Sequence, residues 1–201
     1  MSEMTEPSQQ ASDYPVIERN DRHWTHFTYL EADLRGLSRF IELDEANLQV
    51  FSYECARLFL AAAAEAEVVA KLIANQDGSD GALQVKEYRA AVMARHPEIA
   101  GASVSLLTLT TPIIPWKSWA DDNSPDWWKA YNEVKHARAE SFAQANLSNL
   151  LHAMAGLLVL LIVYLRRKGV QFVLPPPALL VPGTGMGDFD VMTIGPAFNL
   201  M

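Results

Sequence analysis

Residues 124–142, SPDWWKAYNEVKHARAESF, bring a histidine, an asparagine and basic side chains within a few turns of one predicted helix. On such a helix Asn132 and His136 lie one turn apart and can meet. Histidine can accept and donate protons near neutral pH, because its unperturbed pKa is about 6.5. Lys135 and Arg138 carry charge that can oppose negative charge developing on a phosphate. These four residues are the candidate catalytic group.

Such a group suits metal-free cleavage of RNA, in which the ribose 2'-hydroxyl attacks the neighbouring phosphate. The segment holds no acidic metal cluster, so neither a metal nor another cofactor is expected. The predicted substrate-binding residues are Trp128, Lys129, Tyr131, Glu54 and Arg57. The alternative for the last two is a salt bridge at i, i+3, and for the tryptophans from Trp116 to Trp128 it is anchoring of a Pro-rich loop.

The motif YNEVKHAR, residues 131–138, follows an earlier helical segment, FSYECARLFLAAAAEAEVVAKLI, residues 51–73. This pairing over residues 40–168 resembles the HEPN superfamily, small α-helical domains of RNA-cleaving toxins, antiviral systems and nucleotidyltransferase partners. In that family an Arg, often followed by a polar residue, stands a few positions before a catalytic His. By the resemblance, His136 matches the catalytic His and Asn132 matches the polar residue.

The family's Arg is absent from this chain. The positions that would hold it are occupied by Tyr131, Ala130 and Lys129, of which only Lys129 keeps the charge, while Lys135 or Arg138 could substitute. Two functions therefore stay open. One is RNA binding or metal-independent RNA cleavage in a bacterial or phage defence or toxin–antitoxin setting. The other is a non-catalytic helical interaction protein of the same fold that binds a protein partner, and the missing Arg favours it.

The overall charge limits how the protein could meet RNA. The chain of 201 residues has a formal net charge of −8 and a pI of about 5.1, which argues against coating nucleic acid through its bulk field. A basic site confined to one part of the surface is compatible with this net charge. The single cysteine, Cys55, cannot form an internal disulfide, and the first residues lack the basic start and apolar run of a secretory signal. A cytoplasmic protein is expected.

One apolar segment resembles a membrane span, because residues 145–165 carry no formal charge and precede three basic residues. Its purely apolar part, residues 153–165, is shorter than the ~20 residues that cross a bilayer, so a buried bundle helix and no membrane association are expected. Residues 157–165 are apolar nearly all round. This apolar surface is larger than a single partner helix can cover. Together with the paired sites that the resemblance implies, this pattern predicts a homodimer.

Apolar spacing predicts an all-α fold, an antiparallel helical bundle built around two long helices. The first covers residues 44–75 and has Asp44 as its predicted N-cap. The second covers residues 126–168, with a possible break at 146–149. The sequence thus places the candidate catalytic residues on one long helix and Glu54 and Arg57 on the other.

Shorter helical patterns surround the two long ones. Residues 24–41 form one helix or two fragments, because Gly36 weakens the middle. A helix that starts at residue 82 continues until Pro97, which makes further helix unfavourable. The connection that follows is expected to be extended or looped, with a helix at 102–109 as the alternative.

The predicted domain organisation has three parts. Residues 1–22 form a mobile N-terminal tail, because they are polar and lack apolar periodicity, and residues 23–168 form the HEPN-like helical domain. Residues 169–201 form an extended C-terminal arm that is too rich in Pro and Gly for helix. Within the arm, GTGMG at 183–187 is read as a hairpin turn rather than a phosphate loop, because no strand and helix flank it.

Overall fold

The structure, a computed structural model, describes residues 17–18, 21–75, 85–170, 172–173 and 175–183. Helices dominate this part of the chain, which confirms the all-α class and the presence of two long helices. Its strands form only two small sheets, one parallel (β1 with β3) and one antiparallel (β2 with β4). In chain order the elements are β1 (Ile17–Glu18), α1 (Arg22–Leu37), α2 (Tyr53–Ala74), α3 (Val85–Arg95), β2 (Val104–Leu106), α4 (Asp126–His136), α5 (Arg138–Ser141), α6 (Leu147–Arg167), β3 (Phe172–Val173) and β4 (Leu180–Pro182).

The first long helix begins later than predicted. Ser52 is its N-cap and accepts a hydrogen bond from the amide of Cys55 at 3.0 Å, so α2 starts at Tyr53. Asp44 caps a separate short 3-10 helix, Glu45–Asn47. Phe51 lies between the two in extended conformation, where it forms a β-bridge with Asn146. The expected start at residue 44 was wrong because the chain holds two capping signals eight residues apart and the second one begins the long helix.

The second long helix is interrupted. Ala137, with φ of −138° and ψ of 52°, ends α4 and separates it from the single turn α5. A further turn leads to Asn146, which caps α6 by accepting from the amide of Asn149 at 3.0 Å. The break expected at 146–149 is confirmed, whereas the continuous helix expected between 126 and 146 was wrong at Ala137.

The two long helices run in the same direction. At their starts, the amide of Leu147 donates to the carbonyl of Val50 at 2.9 Å. At their ends, the Arg167 guanidinium donates to the carbonyl of Ile73 at 2.7 Å. The expected antiparallel arrangement of this pair was therefore wrong, because the connection between α2 and α6 carries the chain back along the bundle before α6 begins. Helix α1 runs antiparallel to both, because Asp33 near its end contacts Arg57 near the start of α2 and Asp21 at its start contacts Lys168 at the end of α6.

The shorter elements settle the open alternatives. Helix α1 is continuous, and Gly36 lies in its last turn, where a glycine costs little. Helix α3 ends at Arg95, and Pro97 begins a 3-10 helix, Pro97–Gly101, as the proline predicts. The segment after it is extended and contains β2, so the alternative of a helix at 102–109 is wrong.

A tryptophan cluster joins the Pro-rich loop to the bundle. The Trp116 ring lies 4.1 Å from that of Trp119 and 4.9 Å from that of Trp127, measured between centroids. The Trp116 indole donates to the carbonyl of Gly156 at 3.0 Å, and the Trp127 indole donates to the carbonyl of Pro115 at 2.8 Å. The indole N–H groups of Trp116 and Trp127 are thus satisfied by backbone oxygens of α6 and of the loop itself, whereas the buried indole N–H of Trp128 has no hydrogen-bond partner in the described part of the chain. Anchoring, the expected role of these tryptophans, is confirmed.

Helix α6 is the centre of the core. Among the described residues, this helix is the one that is long and apolar enough to cross a membrane, judged by length and composition. Of its apolar 18-residue window, 78% is buried inside the chain. A core helix of a soluble protein meets the same criterion. Residues 157–165 are buried except Tyr164, so this stretch is covered without a second copy. The reason that the sequence offered for a homodimer is therefore removed, and the dimer stays a prediction from the resemblance.

The ends of the chain are described only in part. Residues 1–16 of the predicted tail lie outside the described residues, while Ile17–Glu18 pairs in parallel with Phe172–Val173. In the predicted arm, β4 pairs with β2, and most of the turn expected at 183–187 lies outside the described residues.

Candidate functional site

The candidate catalytic residues surround the end of α4. His136 is the last residue of this helix and is exposed, and its neighbour Lys135 is exposed as well. Arg138 is the first residue of α5, also exposed, on the far side of the break at Ala137. The helix break thus leaves one imidazole and two cations accessible to solvent, but it places Arg138 on α5, outside the one long helix that the sequence predicted for all four residues.

Asn132 does not orient the ring of His136 through a hydrogen bond in the described part of the chain. Its side-chain amide donates to the carbonyl of Trp128 at 3.1 Å, one turn back on the same helix, and the residue is half-buried. The Lys135 ammonium lies 5.2 Å from the centroid of the Tyr131 ring, within the range of a cation–π contact. The expected meeting of Asn132 and His136 is therefore replaced by local contacts within α4.

Trp128 and Tyr131 belong to the core. They are 2% and 3% exposed, and their ring centroids lie 5.8 Å apart. Tyr131 also packs edge-on against Phe59 of α2 at 6.4 Å. Because burial leaves no ring face for a ligand, this position does not support the substrate-binding role that the sequence assigned to them. The aromatic face of α4 points into the core. The spacing of residues in one sequence cannot distinguish such a buried face from an exposed one on which bases stack.

The other predicted binding residues form ion pairs. The Lys129 ammonium lies 2.8 Å from an Asp126 carboxylate oxygen in the first turn of α4. Arg57 donates from Nε to Glu54 at 2.9 Å and from Nη2 to Asp33 of α1 at 2.7 Å. The hydrogen bonds from Arg57 lower the pKa of Glu54. The hydrogen bonds that Arg57 donates to Glu54 and Asp33 raise the pKa of Arg57. In both residues desolvation by burial acts in the opposite direction and is the weaker effect. The salt-bridge alternative for this pair thus describes its contacts.

Three aromatic rings near the break were missed as a surface feature. Tyr53 is 82% exposed and Phe51 is 48% exposed, and the rings of both approach Phe142, with centroids 5.0 and 5.7 Å apart. Phe142 follows α5 directly, four residues after Arg138. The predicted long helices, residues 44–75 and 126–168, contained Phe51 and Phe142 as helical positions. Recognition of Ser52 as the N-cap would have put Phe51 outside the first of them.

Three grooves of the described chain lie elsewhere. One of about 440 Å³ and a neighbour of about 260 Å³ are both lined by His152. A third, about 250 Å³, is lined by His96, Glu98, Val163, Arg166 and Arg167. None of the three includes His136. Among the described residues no group of three or more His, Cys, Asp or Glu side chains could hold a metal ion.

Comparisons with family models, with curated proteins and with solved structures found no match to this chain. The resemblance to the HEPN superfamily therefore stays a prediction from the YNEVKHAR motif and the helical pattern. The candidate site rests on its own geometry: an accessible imidazole, two accessible cations and neighbouring exposed rings around one helix break.

Proposed function

We propose that the protein binds single-stranded RNA at one surface, which we call the α4–α5 surface. It comprises Phe51, Tyr53, Lys135, His136, Arg138 and Phe142. The observation that carries the proposal is the pair of exposed rings, Tyr53 and Phe51, packed against Phe142 just beyond Arg138. Exposed aromatic side chains in contact with one another need an occupant or a function, since isolated exposed rings are ordinary but a group is not.

The chemistry of this surface matches the two halves of a nucleotide. Every base has a π-face, and stacking on an aromatic side chain contributes about 1–3 kcal/mol per base. Lys135 and Arg138 supply positive charge for phosphates, which position the strand without reading its sequence. Unpaired bases are required for stacking, so single-stranded RNA is favoured over a duplex. The net charge of −8 confines the attraction to this local surface.

Cleavage of the bound RNA is the further step of the same proposal. His136 would accept the proton of the ribose 2'-hydroxyl as its oxygen attacks the neighbouring phosphorus, while the bond from phosphorus to the 5'-oxygen breaks and that oxygen takes a proton from solvent. Lys135 and Arg138 would oppose the charge developing on the phosphate, in place of the Arg that the HEPN motif lacks. The nucleophile belongs to the RNA, so this route needs no metal. The products would be a 2',3'-cyclic phosphate and a 5'-hydroxyl end.

The His136→Ala variant tests the cleavage step. We expect it to lose about 10²–10⁴-fold in cleavage rate without unfolding, because a general acid–base group contributes that much and an exposed ring contributes little packing. Arg138→Ala should slow cleavage while leaving the pH optimum nearly unchanged, because it acts through charge. Rates and end groups are measured on a pool of structured and single-stranded RNAs with EDTA present. An intact pool, or full activity in His136→Ala, contradicts the cleavage step.

A non-catalytic interaction protein is the second candidate. It is favoured by an exposed apolar stripe on α2, where Ala64, Val68 and Leu72 recur at a spacing of four, with Val68 44% and Leu72 41% exposed. Such a stripe can take a partner helix or a second copy of the chain. A mass above that of the monomer by light scattering, reduced by Val68→Lys, would favour this candidate and the predicted homodimer.

A further inference from the structure

Two adjoining grooves on the described part of the chain share Ile114 and His152 as a common wall. The larger, about 440 Å³, lies between the 3-10 helix Glu45–Asn47, the loop at 109–114 and α6. The smaller, about 260 Å³, continues towards the start of α4. The larger volume falls within the range of small-molecule sites. None of the residues of the α4–α5 surface lines either groove, so this site is independent of the proposed RNA surface.

His152 presents a hydrogen-bond acceptor at this wall. Its Nδ1 lies 2.8 Å from the carbonyl oxygen of Ser148, one turn back on α6. A carbonyl oxygen can only accept, so the proton of the neutral ring is assigned to Nδ1. The Nε2 atom is then left with a lone pair. A ligand in the groove would satisfy it with an N–H or O–H donor.

Glu45 gives the larger groove its negative charge. Its Oε1 accepts from the amide of Thr110 at 3.0 Å and from the hydroxyl of the same threonine. These bonds fix the carboxylate at the rim and leave acceptor capacity on its second oxygen. Neither groove has a lysine or arginine among its lining residues, and the carboxylate of the smaller groove, Asp126, pairs with Lys129. The larger groove therefore favours a cation over an anion.

The remaining wall of the larger groove is apolar and suits the body of an organic molecule. Its lining includes Leu48, Leu109, Ile113, Ile114 and Leu151. Apolar walls with a few placed polar groups are the usual composition of a ligand site. We propose that this groove binds a small protonated organic amine, with its ammonium group at Glu45, its apolar body against these side chains and His152 as a second polar group in the wall.

Three probes with the same aromatic body and different charge test the proposal: 2-phenylethylamine, 2-phenylethanol and phenylacetate. Binding is followed by NMR from the amide shifts of Thr110, Thr111 and His152 in the full chain. We expect saturable shifts with the amine, weaker binding of the alcohol and none of the carboxylate. Glu45→Gln should weaken amine binding roughly tenfold or more, because it removes a charge-assisted hydrogen bond while its side-chain oxygen can still accept from Thr110.

Glu42→Gln is the matched control, because Glu42 is exposed, lies three residues away and lines neither groove. It removes the same charge and should leave amine affinity unchanged. Binding of phenylacetate as tight as that of the amine would overturn the proposal, as would equal amine affinity in Glu45→Gln or no shifts with any probe. RNA binding by the same samples is expected to be unaffected by Glu45→Gln, so the two proposals can fail separately.

Discussion

A buried carboxylate on α1 holds part of the C-terminal arm against the bundle. Glu31 is 3% exposed and accepts hydrogen bonds from three successive backbone amides, those of Ala178 at 2.7 Å, Leu179 at 2.8 Å and Leu180 at 3.0 Å. Nearby, the Trp24 indole donates to the carbonyl of Pro175 at 3.1 Å. A buried charge is tolerated only with such partners. The arm is therefore attached by polar contacts that its own sequence does not reveal.

Glu31→Gln should weaken this attachment. The glutamine amide group turns donors towards backbone N–H groups, so at least one of them loses its acceptor, at a cost of about 1–3 kcal/mol. We expect lower stability in urea and faster hydrogen exchange at Leu179 and Leu180. Glu42→Gln, at an exposed site, controls for the loss of charge. Unchanged exchange of the arm amides in Glu31→Gln would contradict the role of this carboxylate.

Gly156 is required by close packing. A Cβ atom built on it would lie 2.9 Å from Cζ2 of Trp127 and 3.3 Å from Cζ2 of Trp116, and both rings are held by their own hydrogen bonds. Gly156→Ala should therefore destabilise the protein by about 1–3 kcal/mol, the usual cost of overpacking. Gly36→Ala is the matched control, because a Cβ there meets nothing within 4 Å.

Thermal and urea denaturation compare the two glycine variants. Gly36→Ala should be neutral or stabilising by up to about 1 kcal/mol, since it reduces the freedom of the unfolded chain within a helical position. Equal stability of the two variants would contradict the assigned packing of the tryptophan cluster around α6.

At the scale of elements, a charged contact joins the start of α1 to the end of α6. Asp21 caps α1, is buried, and lies 2.9 Å from the Lys168 ammonium. Burial acts to raise the pKa of Asp21, but the hydrogen bond from Lys168, backbone amides and the lysine charge outweigh it and lower the pKa overall. A carboxyl group with a lowered folded-state pKa stabilises the fold above its unfolded pKa, and that contribution is lost as the pH falls through the folded value.

Asp21→Asn isolates this charged contact, because asparagine is also a good N-cap. We expect the variant to be less stable by about 1 kcal/mol at pH 7, a modest value because Lys168 is partly exposed. The difference from the wild type should shrink as the pH falls below the ordinary value of the carboxyl group, 3.8. Urea denaturation of both proteins at pH 7 and pH 2.5 measures it. A difference that grows in acid would reverse the assigned sign.

Local signals predicted much of the element structure but not its arrangement. The helical period of the apolar residues predicted the helical class. Pro97 predicted the end of α3, and Asn146 marked the start of α6. The break at Ala137 contains no Pro or Gly, so the usual helix-breaking residues do not predict it. The shared direction of α2 and α6 depends on how the intervening chain crosses the bundle, which neither periodicity nor capping encodes.

At the scale of the molecule, the all-apolar character of α6 is explained by its central position. Its neighbours include α1, α2 and α4, so several elements cover what one partner could not. From the sequence alone, the same excess of apolar surface predicted that a second copy of the chain covers it. Of the predicted site residues, His136, Lys135 and Arg138 are accessible, while Trp128 and Tyr131 are buried because α4 turns its aromatic face to this core.

RNA binding at the α4–α5 surface is tested most directly by the affinity of a labelled single-stranded RNA, measured by fluorescence anisotropy for the wild type, Tyr53→Ala and Tyr29→Ala. Tyr29 is also exposed, at 67%, but lies on α1 outside this surface. The account predicts binding that weakens with salt, a loss of about 1–3 kcal/mol in Tyr53→Ala from the missing stack, and no loss in Tyr29→Ala. No binding by the wild type, or equal affinity in all three proteins, would contradict it.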